Sequence, residues 1–343
     1  MRAASRTPIG ACVQTSDLVA EAHPSAAIEV RDLVKQYNGR CVVDGLTFSV
    51  KPGEVFAILG PNGAGKTTTV EILEGYRTPD AGEVRVLGLD PVRQGTELKP
   101  RIGLMLQQGG LFPQITAREA LRLFAAFYPD AEDPEALLDQ LQIRDVARTR
   151  FRQLSGGQKQ RLGLGLALVG RPRLVFLDEP TAAMDPQARR STWNIIRSLR
   201  ARGTTVLLTT HFMDEAEQLA NRVAIVDHGR LVALDTPAGL RHAVANEIRF
   251  HTRPAIDEHE VATGLGLPRA KVERENDGTF VLHVEPTPDR IAELSSWLAT
   301  QNVLLTELRA GSRSLEQAFL TLTADGEPSR PVPLGEGWGE GGV

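Results

Sequence analysis

Cysteine is scarce in this chain, with only Cys12 and Cys41 among 343 residues. Two isolated thiols supply neither a disulfide framework nor a metal-ligand spacing, and a reduced compartment fits them best. Long apolar runs are also missing. No window approaches the roughly 18 uninterrupted apolar residues of a bilayer-spanning helix, so no membrane span within this sequence is expected. The first 27 residues, MRAASRTPIGACVQTSDLVAEAHPSAA, hold no continuous apolar segment of the signal-peptide kind and read as a mobile extension. Charge excess is small as well. Lys and Arg number 39 against 43 Asp and Glu, a net charge of −4, which argues against whole-chain affinity for nucleic acid; no nucleic-acid partner is expected.

What is present is an ordinary globular text. The length exceeds the size that one hydrophobic core usually serves, so two domains are expected. From Ile28 onward, AIEVRDLVKQY and LTFSVKPGEVFAILG alternate like strands, the second ending in the unbroken apolar run Val55 to Leu59. KTTTVEILEGY has helical spacing, with Val70, Leu73 and Tyr76 on one side. GEVRVLG and RIGLMLQQ read as further strands. From about 108 to 170 the pattern turns helical, opened by a capping box at Thr116 and Glu119. Then come a buried strand RLVFLDEP, a helix stopped by Gly203, the strand TTVLLTTH, the helix DEAEQLANR and a hairpin around His228-Gly229. This β/α alternation predicts a largely parallel core with a helical insertion.

The composition shifts after the helix that follows Pro237. The remainder reads strand, helix, a hairpin around Asn276-Asp277-Gly278, helix, strand, helix: a small α+β domain, ferredoxin-like in its element order. The expected division is an extension over 1–27, a first domain over 28–244 with its helical part near 108–170, a second domain over 245–323, and a disordered Gly- and Pro-rich tail over 324–343.

The chemistry concentrates in the first domain. GPNGAGKT (Gly60, Pro61, Asn62, Gly63, Ala64, Gly65, Lys66, Thr67) satisfies the P-loop pattern, after a buried strand and before a helix, with Thr68 following. Its glycines let backbone N–H groups surround phosphates, and the helix start adds positive potential. Lys66 is a point charge for the β and γ phosphates, and Thr67 offers a hydroxyl to Mg²⁺. No guanine-specifying N/T-K-x-D element is visible, so ATP is preferred to GTP. Asp178 and Glu179 end a buried strand; Asp178 suits the Mg²⁺ shell and Glu179 the attacking water. An ordinary pair of solvated strand-end acids is the alternative, and it loses weight beside the P-loop.

In order the chain carries GPNGAGKTT, LMLQQ, LSGGQKQR, LVFLDEP, AAMDP and TTHFMDEAEQLANRVAIVDHGR. Together these resemble the ATP-binding cassette of ABC transporters over about Ile28 to Arg241. With the extension ending in SLEQAFLTLT, the whole looks like the ATPase subunits of daunorubicin-resistance-type drug exporters. The resemblance implies an α/β P-loop NTPase cassette with a helical insertion, hydrolysing ATP. It places Tyr37 on the adenine, Gln107 on Mg²⁺ or water (its neighbour Gln108 being the second choice), and His211 on the γ-phosphate and Glu179. Asp185 matches the loop that communicates between two sites, although Met184 stands where the family commonly has leucine.

The turn Ser155, Gly156, Gly157, Gln158 is a second glycine-rich helix start, itself a capping box, but without a lysine. The resemblance implies that it covers the ATP held by another chain's P-loop, in a head-to-tail pair of cassettes. The implied partners are a second ATPase subunit, identical or a close paralogue, and separate transmembrane permease subunits, with the chain peripheral at the cytoplasmic face of the membrane. Two other functions remain open at this point: a soluble ABC protein in translation or DNA maintenance, and an importer ATPase.

Overall fold

The computed structural model describes residues 26–105, 110–182, 184–243, 247–275, 277–310 and 314–324. It begins with β1 (Ile28–Tyr37) and β2 (Arg40–Val50), an antiparallel pair. Next come β3 (Val55–Leu59), α1 (Lys66–Leu73), β4 (Ala81–Val86), the single turn α2 (Gly95–Leu98) and β5 (Ile102–Met105). The helical insertion holds α3 (Ala117–Ala125), α4 (Pro134–Gln140) and α5 (Gly156–Leu168). After it follow β6 (Leu174–Asp178), α6 (Pro186–Ala201), β7 (Thr205–Thr210), α7 (Met213–Leu219), β8 (Arg222–Asp227), β9 (Arg230–Asp235) and α8 (Pro237–Ala243).

The central sheet runs β5-β6-β7-β3-β8-β9, parallel through β8, with β9 antiparallel at the edge. Every residue of β3, β6 and β7 is buried, as expected of strands covered on both faces. Alternate positions serve different layers. Leu59, Leu177 and Leu208 pack with residues of α3, α5 and α6, whereas Phe56, Phe176 and Leu207 pack with α1 and the antiparallel sheet β2-β1-β4. The strand GEVRVLG therefore lies outside the parallel core, paired antiparallel with β1. The predicted helical stripe through Tyr76 also fails. α1 stops at Leu73, Gly75 turns at φ 78°, and Tyr76 is 59% exposed. A Cβ on Gly75 would lie 2.3 Å from the Pro91 carbonyl oxygen, so the chain leaves the helix by a close backbone approach open only to glycine.

The remaining strands and helices are β10 (Ile248–Arg253), α9 (Glu258–Gly264), β11 (Val272–Arg274), β12 (Phe280–Leu282), α10 (Pro288–Thr300), β13 (Leu304–Ala310) and α11 (Leu315–Ala324). β11-β12-β10-β13 form an antiparallel sheet whose core takes Phe250 and Phe280 together with Val261 of α9 and Leu294 of α10. Strand order and connection match the ferredoxin-like arrangement. α11 leaves this core. Leu315 and Phe319 are buried in the first core, where α11 packs on α7 and α8.

Candidate active site

β3 delivers the chain into the P-loop, and Gly65 caps α1 at φ 96°. A Cβ there would stand 2.5 Å from the Val42 carbonyl oxygen, so the turn admits only glycine. Lys66, the first residue of α1, is only 6% exposed. Its ammonium donates to the carbonyl oxygens of Gly60 at 2.8 Å and Pro61 at 3.1 Å. Burial lowers its pKa, while Glu179 and Asp178 work in the opposite sense. No acidic residue stands in the first turn of α1, so the positive potential of that helix end is uncancelled. The loop borders a cleft of about 320 Å³ lined by Val42, Asn62, Gly63, Gly65, Lys66, Thr67, Thr68 and Glu179.

Asp178 ends β6 and is nearly buried, accepting a hydrogen bond from the Thr209 hydroxyl. Burial pushes its pKa up, the Thr209 bond opposes this, and Glu179 adds to the rise. Glu179 sits beyond the strand at φ 48°, in the left-handed region that a side chain seldom adopts. The position is held because its N–H meets the Thr209 carbonyl oxygen at 3.1 Å and the Thr209 hydroxyl at 3.2 Å. The two acids are thus separated by this backbone turn as well as by strand alternation. The Glu179 carboxylate lies 3.0 Å from Nδ1 of His211, immediately after β7, which runs beside β6. Sequence positions 66, 178, 179 and 211 meet at the carboxyl edge of three adjacent parallel strands.

The other sequence-predicted residues lie elsewhere. Ser155 caps α5 in a capping box: its N–H donates to Gln158 Oε1 at 2.9 Å and its hydroxyl accepts the Gln158 N–H at 3.3 Å. Ser155 and Gly156 are exposed, and none of these turn residues lines the cleft. Asp185 caps α6, its carboxylate accepting the N–H groups of Gln187 at 2.9 Å and Ala188 at 2.8 Å. Met184 is buried, so its apolar volume packs inward, and its side chain lies 3.7 Å from where a Cβ on Gly157 would be. Tyr37 ends β1 half-buried, with Lys35 and Arg77 each 5.5 Å from its ring centre, and it is not among the cleft-lining residues. Gln107 and Gln108 lie outside the described residues.

Sequence reasoning missed Thr209, which organises both acids, and Val42, whose carbonyl enforces Gly65. For Thr209 a signal existed in the polar TT that ends an otherwise apolar strand. For Val42 there was none, because the approach is between distant backbone segments.

The family model described as ABC transporter matches residues 43–182. The Nod factor export ATP-binding protein I of Paraburkholderia xenovorans (strain LB400) is 39% identical over 313 residues, covering 88% of this chain and 98% of that protein. The daunorubicin/doxorubicin resistance ATP-binding protein DrrA of Streptomyces peucetius is 36% identical over 310 residues, covering 88% of this chain and 93% of its own length. Among solved structures, an ATP-binding subunit of an ABC transporter superposes with a TM-score of 0.58 at 28% identity, over 63% of this chain and 92% of that one. A dimeric ATP-binding cassette in a post-hydrolysis state with ADP and Pi gives 0.57 at 26% identity, over 61% and 98%. With its P-loop, paired acids and histidine assembled on this fold, the chain belongs to the ATP-hydrolysing ATP-binding proteins of the ABC transporter family.

Proposed function

We propose that the chain powers an exporter as one of two head-to-tail cassettes, each closing the other's nucleotide site. One observation carries the reading. Lys66 and Glu179 line the cleft, with Asp178 and His211 beside them at the carboxyl edge of the parallel strands, whereas the Ser155 turn, a capped helix start, is exposed and lines none of it. The dimeric cassette among the structural neighbours supports the pairing. The second subunit is an identical chain or a close paralogue.

The donor set fits Mg²⁺. The Thr67 hydroxyl and the Asp178 carboxylate are hard oxygens, and a carboxyl pushed up by burial gains from a nearby cation. Gln107 joins them in this reading. When bound, the ion neutralises charge on the phosphates. Lys66 then binds the β and γ phosphates, and His211 orients Glu179. As water attacks the γ-phosphorus and ADP leaves, Glu179 accepts the water's proton.

The motion passes to separate permease subunits, with the chain peripheral at the cytoplasmic face of the membrane. No helix among the described residues is long and apolar enough to cross a membrane itself. Phe112 (76% exposed) and Phe127 (73%) of the helical insertion support a docking face there. Relatives named for Nod factor export and for daunorubicin/doxorubicin resistance support export of drugs or other amphipathic compounds. The separate core around Phe250 supports treating 245–323 as a unit, tied to the cassette through α11.

Mixing subunits tests the pairing. Lys66→Ala and Ser155→Arg proteins should each be inactive alone. Combined one to one, they should recover about a quarter of the wild-type sites, because half the dimers are mixed and each keeps one intact site. No recovery despite demonstrated mixed assembly would refute action in trans. ATP-dependent efflux from inverted vesicles containing the permease tests export.

A further inference from the structure

Glu215 lies in α7, four positions beyond His211, and is completely buried at 0% exposure. A carboxyl group in such a place needs hydrogen bonds to offset its lost hydration. Its Oε1 accepts two, from the Thr181 hydroxyl at 2.8 Å and from the Trp193 indole N–H at 3.2 Å. Thr181 stands two residues past Glu179, and Trp193 belongs to α6, the helix that Asp185 caps. The Thr210 hydroxyl accepts the Phe212 N–H at 2.9 Å, fixing the chain on both sides of His211. That hydroxyl also eases the charge on Glu215, although burial, the larger effect, pushes its pKa up. Arg189 of α6 covers the outer side: its guanidinium lies 4.3 Å from the Phe212 ring centre and 3.4 Å from Asp214, and it favours charge on Glu215. Glu215 itself is not among the residues lining the nucleotide cleft.

We propose that Glu215 is a positioning residue whose carboxylate latches the loop after Glu179 to the turn around His211 and to α6. The inference rests on the reading of Glu179 and His211 as the catalytic pair. Their 3.0 Å contact joins side chains 32 residues apart, just beyond the last paired residues of the neighbouring strands, Asp178 and Thr209. Glu215 bonds the loop from the far side and holds both ends to one helix. Asp185, at the start of that helix, faces the second cassette in the proposed pair, so the latch also ties the hydrolytic pair to the subunit interface.

Steady-state kinetics and nucleotide binding on the full-length protein separate this role from simple structural support. The comparison needs Glu215→Ala, Glu215→Gln, Thr181→Val and, as the control for the underlying reading, Glu179→Gln. Glu215→Ala and Thr181→Val should each lower kcat by about tenfold or more while Kd for a fluorescent ATP analogue stays within about twofold, because the P-loop is untouched and only the hydrolytic pair is displaced. Glu215→Gln should restore most of the kcat lost in Glu215→Ala, since its amide oxygen can still accept from Thr181 and Trp193. The double variant Glu215→Ala/Thr181→Val should be no worse than the poorer single one.

A folded Glu215→Ala protein with near-wild-type kcat would overturn the proposal, and so would parallel losses of kcat and nucleotide binding. If Glu215→Ala does not fold, Thr181→Val, nearly isosteric, decides by the same two readouts. Full activity in Glu179→Gln would instead sink the catalytic pair itself. An inactive Glu179→Gln beside active latch variants rejects the latch alone.

Discussion

Glu74 offers a stringent test of the electrostatics beneath the nucleotide site. It caps the C-terminal end of α1 and is 4% exposed. Burial, reinforced by Asp178 and Glu71, pushes its pKa from 4.5 to about 8. Between those values the folded protein holds a proton that the unfolded chain has lost. The stability tied to this group is therefore fully present below pH 4.5 and is lost as pH rises through about 8. At about 1.4 kcal/mol per unit, the gap corresponds to an upper bound of about 5 kcal/mol, and relaxation around the carboxylate should reduce it to about half. The slope should be at most about 1.4 kcal/mol per pH unit, or roughly 3–6 °C of Tm per unit for a cooperative block of 150–250 residues. Glu74→Gln supplies a neutral group of the same shape and removes that slope. Thermal unfolding of both proteins from pH 5 to 9 gives the answer. The variant should gain on wild type up to about pH 8 and then level off, while the rise in the Asp178 pKa, common to both, cancels in the difference. Parallel curves would refute the assignment of a buried, protonated Glu74.

Four further outcomes follow from the same geometry. Lys66→Ala should weaken ATP binding by about tenfold or more, by removing the buried ammonium at the phosphate cleft, as read by equilibrium titration. Glu179→Gln should bind ATP yet hydrolyse it about 10²–10³ times more slowly, and accumulate as a closed dimer on gel filtration; a monomer at saturating ATP would contradict the pairing. Phe112→Ser/Phe127→Ser should leave the isolated ATPase within about twofold of wild type but abolish co-purification with the permease. Leu315→Ala should destabilise the docking of α11 by about 2–5 kcal/mol and be seen as faster proteolysis after residue 310, because its side chain is completely buried in the first core.

Several features were legible because their physics is local. Both capping boxes, at Thr116/Glu119 and at Ser155/Gln158, form as the i to i+3 spacing demands. The hairpin at His228-Gly229 closes β8 onto β9, with Gly229 at φ 80°. The P-loop needed only its glycines, its lysine and the change from strand to helix. Other features depended on contacts between distant segments. The pattern of GEVRVLG identifies a strand but not its partner, and the register with β1 is a tertiary choice. Helical spacing runs on through Tyr76, whereas the close approach of Gly75 to Pro91 ends α1 at Leu73. The apolar face of α11 says that the helix must be covered, but not that α7 and α8 cover it. In MDEAEQL, Glu215 reads as one more acid favouring a helix start, and only the packing of three segments reveals a buried latch.

The sequence alone determined the chemistry on offer: a P-loop pattern, two acids, a histidine, and a second capped helix start that lacks the P-loop's Gly-Lys-Thr. Such signals survive in one dimension because backbone turns and helix caps involve residues within a few positions of one another. Only the tertiary structure decided which groups would meet. Parallel strands join through long crossovers, so β6 and β7, far apart along the chain, bring Glu179 and His211 within 3.0 Å. The connection from β5 to β6 carries the Ser155 turn on the helical insertion, and none of the turn's residues lines the cleft.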